Sequence, residues 1–267
     1  MKLRPVAGIV LRQLYLLRGS PVRLFPMVTW VAIDIVLWGF ITRYLNSVSG
    51  SGVNFVPTLL GGVLLWDFCA RIMQGVSTAF LEDVWSRNFL NLFSSPLSIS
   101  EYITGLVITS VLTSCVGLVT MLVLATGVFH LQFFALGLPL AAFLMVLFVF
   151  GITLGIFGSG IVLRFGPASE WLLWPLPALL SPFAAVFYPL ATLPPWMRAV
   201  AHALPPAYVF EGMRTLLGGR PFPGALLLQG TAVAVLELCL AAHFYGRIYR
   251  HAVRTGLLAR YSAEGAA

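Results

Sequence analysis

The chain has 267 residues, of which 59% are hydrophobic and 9% charged, with a mean hydropathy of +0.94. A soluble domain carries about 25% charged residues, so a water-facing surface could not be covered with so few. Lipid can cover it instead, which excludes a soluble globular fold and leaves one membrane domain without a large soluble one beside it. A formal net charge of +7 would suggest nucleic acid in a soluble protein. Here the basic residues collect at the two ends beside apolar segments, where anionic lipid headgroups are the simpler partner, and no nucleic acid is expected. The three cysteines, Cys69, Cys115 and Cys239, sit inside apolar runs and read as small hydrophobes rather than a disulfide framework.

In chain order, residues 1–23 come first. Arg4, Arg12, Arg18 and Arg23 interrupt the apolar stretch too often for a signal peptide. Leu3, Val6, Val10, Leu14 and Leu17 recur at helical spacing, which predicts an amphipathic helix lying in the cytoplasmic interface. A straight crossing takes about 20 apolar residues. Six segments qualify: 25–42, 56–80, 102–127, 133–163, 171–190 and 224–246. The fourth is longer than one crossing needs, and Gly151, Gly155, Gly158 and Gly160 predict either a kink or a tilt. Eleven Lys and Arg fall on the side of the two termini and four on the other, with Arg71 inside a span. Both ends, including the 247–267 tail, are therefore expected in the cytoplasm, and an even number of spans agrees.

Two connections are unusual. Over 81–95, Leu81, Val84, Trp85, Phe89, Leu92 and Phe93 form one helical stripe, while Glu82, Asp83, Ser86, Arg87 and Asn91 take the other side. Pro96 ends that helix. It either floats in the lipid interface or offers a docking surface, made of Val84, Trp85, Phe89, Leu92 and Phe93, to a soluble partner. On the outer side, Pro194, Pro195, Pro205 and Pro206 cut 191–223 into two helical pieces too short to cross. Such pieces predict a re-entrant region packed on protein.

Four ionisable residues fall near the middle of spans: Asp34 in the first, Asp67 and Arg71 in the second, Glu237 in the sixth. Each costs about 2.5–3.5 kcal/mol facing lipid, so all should face protein or water. Asp67 and Arg71 are four apart and share a helix face. Arg71 is expected to bridge Asp67 and Asp34. The alternative is a polar lining for substrate or a proton relay.

Some chemistry is missing from this chain. Its one lysine is Lys2, so a G-x-x-x-x-G-K-[ST] phosphate loop cannot be built, and any ATP with its Mg must be bound by another chain. The four histidines are scattered and predict no metal site. Gly158-Ser159-Gly160 lacks the glycines two positions from the serine that a nucleophile elbow needs. It reads instead as small residues for close helix packing.

Two longer motifs carry a resemblance. One is SSPLSISEYITG over Ser94–Gly105. The other is FYPLATLPPWMRAVAHALPPAYVFEGMR over Phe187–Arg214, with Tyr188, Pro189, Pro205, Glu211 and Arg214 at its marked positions. With these the chain resembles the ABC-2 type permeases, the membrane subunits of exporters powered by a separate ATPase. It departs from their commonest pattern where it reads Trp85-Ser-Arg-Asn-Phe-Leu-Asn-Leu. The resemblance implies an all-α membrane fold of six spans in a bacterial inner membrane. It implies two copies of this chain with two nucleotide-binding subunits, and coupling to the ATPase through the 81–95 helix. It implies outward movement of a lipid-linked glycan, a lipid-like molecule or a hydrophobic drug, with no enzyme activity or cofactor in this chain. A pathway lined by Trp38, Trp66 and Trp174 would fit it, with Trp30 and Trp171 in an interfacial belt. The rival reading is a self-contained ion-coupled carrier or channel using Asp34, Asp67 and Glu237.

Overall fold

The computed structural model describes residues 3–20, 25–49, 56–86, 88, 91–92, 95–130 and 137–256. Among these residues the fold is all α, without strands. Helix α1 spans Leu3–Gly19 and α2 Phe25–Ser49. A π turn, Val56–Leu60, leads into α3, Gly61–Trp85. Then follow α4, Ile99–Phe129, and α5, Gly137–Phe165. A 3₁₀ turn, Pro167–Leu172, precedes the five-residue α6, Leu176–Leu180. A second 3₁₀ turn, Leu190–Thr192, leads to α7, Pro195–His202, α8, Pro205–Leu217, and finally α9, Gly224–Thr255.

Five helices are long and apolar enough to cross a bilayer: Val28–Val48, Thr58–Trp85, Ile99–Phe129, Gly137–Phe165 and Gly224–Thr255. The chain is a multi-pass membrane protein. Five of the six expected spans coincide with these helices. The 171–190 segment forms no continuous helix. Pro175, Pro177, Pro182 and Pro189 each lack the N–H that the ladder needs, and each biases the preceding residue away from helical angles. What remains is α6 and a run of turns, with Ala185 at a positive φ of 53°. Ala184, Ala185 and Val186 are nevertheless fully buried.

Helices α3 and α5 form the centre, with α9 against α5 and α4 against α3. The α3–α5 crossing is close because glycines face it. A Cβ at Gly151 would lie 2.7 Å from the Cys69 carbonyl, and one at Gly155 would lie 2.7 Å from the Val76 Cβ. Helix α5 continues unbroken through all four of its central glycines. Ser159 donates to the Gly155 carbonyl at 2.8 Å within this buried seam, as expected of a packing serine.

Helix α1 lies against α4. Val6, Ile9 and Gln13 are buried, while Leu3 and Leu14 are exposed. The stretch expected as a separate helix over 81–95 also differs. Residues 81–85 complete α3, and Leu81, Asp83 and Val84 point into the protein. Val84 is thus core rather than docking surface, and Asp83 is not on a solvated face. Trp85 is exposed and Leu92 packs against the core, while Phe89 and Phe93 lie outside the described residues.

The glycine seam predicts opposite signs for two alanine substitutions. Gly155→Ala, which must push Val76 aside, should lower stability by about 1–3 kcal/mol. Gly8→Ala, with nothing within 4 Å of the new carbon, should raise it by about 0.5–1 kcal/mol. Thermal unfolding of the detergent-solubilised protein reads both.

Candidate functional site

Between α1, α2, α3 and α4 lies a cavity of about 700 Å³. Its wall carries Asp34 and Trp30 from α2, Asp67, Arg71, Gln74, Thr78 and Glu82 from α3, and Thr109, Thr113 and Ser114 from α4. Gln13 of α1 and Trp174, just before α6, complete it. At 1.5 Å per residue, the stretch from Asp67 to Glu82 runs about 22 Å along α3, from mid-span to its Trp85 end. The cavity therefore carries polar side chains at intervals along a largely apolar wall and is tall enough to cover half a bilayer.

Its deepest element is the pair foreseen from spacing. Arg71 Nε donates to Asp67 Oδ2 at 2.7 Å, one helical turn away. The stem of Arg71 passes over Gly117, where a Cβ would lie 3.3 Å from its Cδ. Asp34 stands on the facing helix and feels the charges of both Asp67 and Arg71. So Asp34, Asp67 and Arg71 are brought together. Glu237 is not. It lies in a separate apolar groove of about 360 Å³ between α5, α6 and α9, beside Phe150, Phe157 and Leu240. Its Oε2 has no hydrogen-bond partner among the described residues.

The tryptophans also divide. Trp38 stacks on Phe187 with centroids 5.3 Å apart, and Trp66 meets Phe210 at 6.4 Å, both packed on the core. Trp174 lines the cavity. Its companion there is Trp30, expected in the interfacial belt.

The cavity floor is held by a joint that sequence periodicity did not indicate. The Asp83 carboxylate is wholly buried; Arg12 of α1 donates to Oδ1, and the Tyr102 hydroxyl of α4 donates to Oδ2 at 2.7 Å. The surrounding motif supports it. Ser98 caps α4 by accepting from the Glu101 N–H, and the Glu101 carboxylate accepts from the Ser98 N–H at 3.1 Å, a capping box. Gly105 leaves room for Ile9, whose side chain would lie 2.6 Å from any Cβ there. A buried carboxylate whose partners lie far off in sequence leaves no periodic signal. The clue available was Tyr102 beside a capping glutamate.

A second joint organises the other motif. Glu211 accepts from the Leu190 N–H at 2.6 Å and from Arg214 at 3.2 Å. Arg214 donates to the Ala185 carbonyl and, at 3.2 Å, to that of Val186. Burial pushes the Arg214 pKa down and the Glu211 carboxylate pulls it back up. Tyr188 donates to the Pro182 carbonyl at 2.6 Å, and Pro205 opens α8. These side chains satisfy backbone that has no helical ladder.

The family described as ABC-2 type transporter matches residues 19–217, most of the chain and both motifs. The chain belongs to the ABC-2 type transporter family. No curated protein matches it in sequence. As an ABC-2 membrane domain, it is the transmembrane component of an ABC transporter, and such permeases work with ABC ATPase subunits. The permease's polar cavity is its candidate functional site, and its two motifs are the joints at either end of the fold.

Both joints yield stability tests. Tyr102→Phe leaves one oxygen of a buried carboxylate without its donor and should cost about 1–3 kcal/mol. It should also speed proteolysis after α1. Glu211→Ala removes the acceptor of both Leu190 and Arg214, and should lower the unfolding midpoint in detergent by a comparable amount.

Proposed function

We propose that this permease is the membrane half of an ATP-driven exporter and that the 700 Å³ cavity is the inner part of its substrate pathway. The observation that carries the proposal is family membership over residues 19–217, joined to a polar cavity that reaches one end of α3. A homodimer with two ATPase subunits would place two such cavities about a shared path. With one lysine, Lys2, this chain has no phosphate-loop lysine of its own, so ATP and Mg would be held by the partner.

The arrangement has six crossings and both termini in the cytoplasm of a bacterial inner membrane. The sixth is the broken segment. Trp85 donates to Glu170 at 3.0 Å at one end of α3, and the Val186 carbonyl lies against Gly62 at the other. The chain between therefore runs the length of α3 without being a continuous helix. Non-helical backbone at membrane depth is tolerated where protein buries it, and the Arg214 and Glu211 joint does so here. Helices α7 and α8 would then be the re-entrant pair at the outer mouth.

Force would enter where α3 ends. The ATPase docks on the 86–95 connection and on exposed Trp85, next to the Arg12–Asp83–Tyr102 joint. Movement there shifts α1, α3 and α4 together, and these are three of the cavity walls. An ion-coupled carrier using Asp34 and Asp67 would instead transport in liposomes without any ATPase.

Two experiments check this reading. Phe89→Asp should leave membrane insertion intact while abolishing transport and stimulation of the ATPase. With the exposed Cys115 and Cys239 changed to serine, Gln74→Cys should react with a water-soluble thiol reagent added from the cytoplasmic side and not from the outer side. Labelling from the outside alone would reverse the assigned orientation.

A further inference from the structure

We propose that the C-terminal end of α9 carries a binding site for an anionic phospholipid. Arg247, Arg250 and Arg254 hold the headgroup phosphate, and an acyl chain lies in the groove between α5 and α9. The site does not depend on the exporter reading, because α9 takes no part in the walls of the cavity. Arg247, Arg250, His251 and Arg254 share one face of the helix and line one shallow hollow. All four are exposed, while Tyr245, Ile248 and Ala252 on the other side are buried. None of the four side chains has an ion-pair or hydrogen-bond partner among the described residues. One cation in the last turn would answer the helix dipole, whose effect ends within that turn. Arg247 and Arg250 lie further back. Like charges three and four residues apart on a helix repel. A phosphate between them replaces that repulsion with two-pronged, charge-assisted hydrogen bonds.

Depth makes the anion a lipid. About 20 residues of helix cross the hydrocarbon core, and counted from Gly224 they end near His243. Arg247 follows about 6 Å further along the axis, in the headgroup layer. Long apolar stems let Arg250 and Arg254 reach back to the same layer. The chain of the lipid has a place as well. A groove of about 360 Å³ between α5, α6 and α9 is lined by Phe157, Leu176, Leu240 and Phe244. Phe157 meets Phe244 with ring centroids 5.0 Å apart, and Phe150 and Glu237, each seven residues earlier, line the same groove. Helices α5 and α9 therefore run parallel and in step. Seven residues further on, exposed Arg164 in the last turn of α5 comes level with His251 and adds a fourth guanidinium to this end of the groove. The one acid lining the groove, Glu237, lies about 15 Å before Arg247 along α9, too far to neutralise it. A free phosphate would leave the groove unused, and so would an acidic protein surface. A phospholipid uses both parts.

The full-length permease in neutral detergent is exchanged against equal amounts of phosphatidylglycerol and phosphatidylcholine and purified again, and the retained lipids are counted by mass spectrometry. Phosphatidylglycerol should be retained at least about fivefold over phosphatidylcholine, the factor that one arginine near a membrane surface contributes. The triple variant Arg247→Gln, Arg250→Gln, Arg254→Gln should lose that preference, with its unfolding midpoint in lipid-free detergent unchanged. The corresponding triple lysine variant should keep most of it. Lys2→Gln, Arg4→Gln and Arg18→Gln together remove the same charge from the N-terminal segment and should leave the preference in place. Glycerol phosphate, the headgroup without its chains, should compete at least about a hundredfold more weakly than the lipid. Equal retention of the two lipids by the unsubstituted permease, or equal loss of preference in both triple glutamine variants, overturns the proposal. Competition by glycerol phosphate as strong as that of the lipid assigns the face to a free phosphate instead. A variant at Arg247, Arg250 and Arg254 that keeps its lipid but releases an ATPase subunit makes the face a protein docking surface, which also overturns it.

Discussion

A carboxylate with no exposed surface, Asp83, sits at the end of α3, and that end of the helix bundle is arranged around it. An ionised group taken out of water costs several kcal/mol unless charge and hydrogen bonds replace its hydration. Arg12 and Tyr102 do so, one from α1 and one from α4. Three helices are thereby fixed at one point. The Ser-x-x-Glu-Tyr-x-x-Gly pattern is the specification of that point. Ser98 and Glu101 start α4 at the right residue, Tyr102 reaches the carboxylate, and Gly105 admits Ile9. With α1 so placed, Gln13 and Leu17 close the floor of the cavity.

The second joint solves a different problem with the same chemistry. Prolines deny the 171–190 segment a helical ladder, yet its residues 184–186 are buried. Backbone groups there need partners that water cannot supply. Arg214 donates to two of the carbonyls and Glu211 accepts from the Leu190 N–H. The Glu-x-x-Arg spacing places both side chains on one face of α8, three residues apart, where they also pair with each other. At each joint, a charged residue outside the long spans completes polar groups that are buried in the fold.

The cavity lies between α1–α4, and its polarity follows from which faces meet there. Thr109, Thr113 and Ser114 give α4 a hydroxyl stripe at helical spacing, opposite the acids of α2 and α3. The strongly packed seam of α3 with α5 lies on the other side, dry and glycine-lined. Helix α3 thus has one closely packed face and one face that lines the cavity.

Composition and hydropathy by themselves determined that the chain crosses a membrane, and the long apolar runs located five of its helices. Spacing alone determined the Asp67–Arg71 pair, because residues four apart on a helix must share a face. The proline pairs likewise marked out α7 and α8. Burial was decided only by the tertiary structure. In water an apolar stripe must turn inward, but in lipid it is stable facing out. The period of 3.6 therefore shows that faces differ without showing which one is inside. That is why α1 packs by Val6, Ile9 and Gln13 while Leu3 and Leu14 face outward, and why Asp83, placed by periodicity on a solvated face, is buried. It is also why Trp30 lines the cavity while Trp38 packs on Phe187, and why Glu237 stands apart from the other intramembrane acids. The partners that decide these positions lie tens of residues away, where no local pattern reaches.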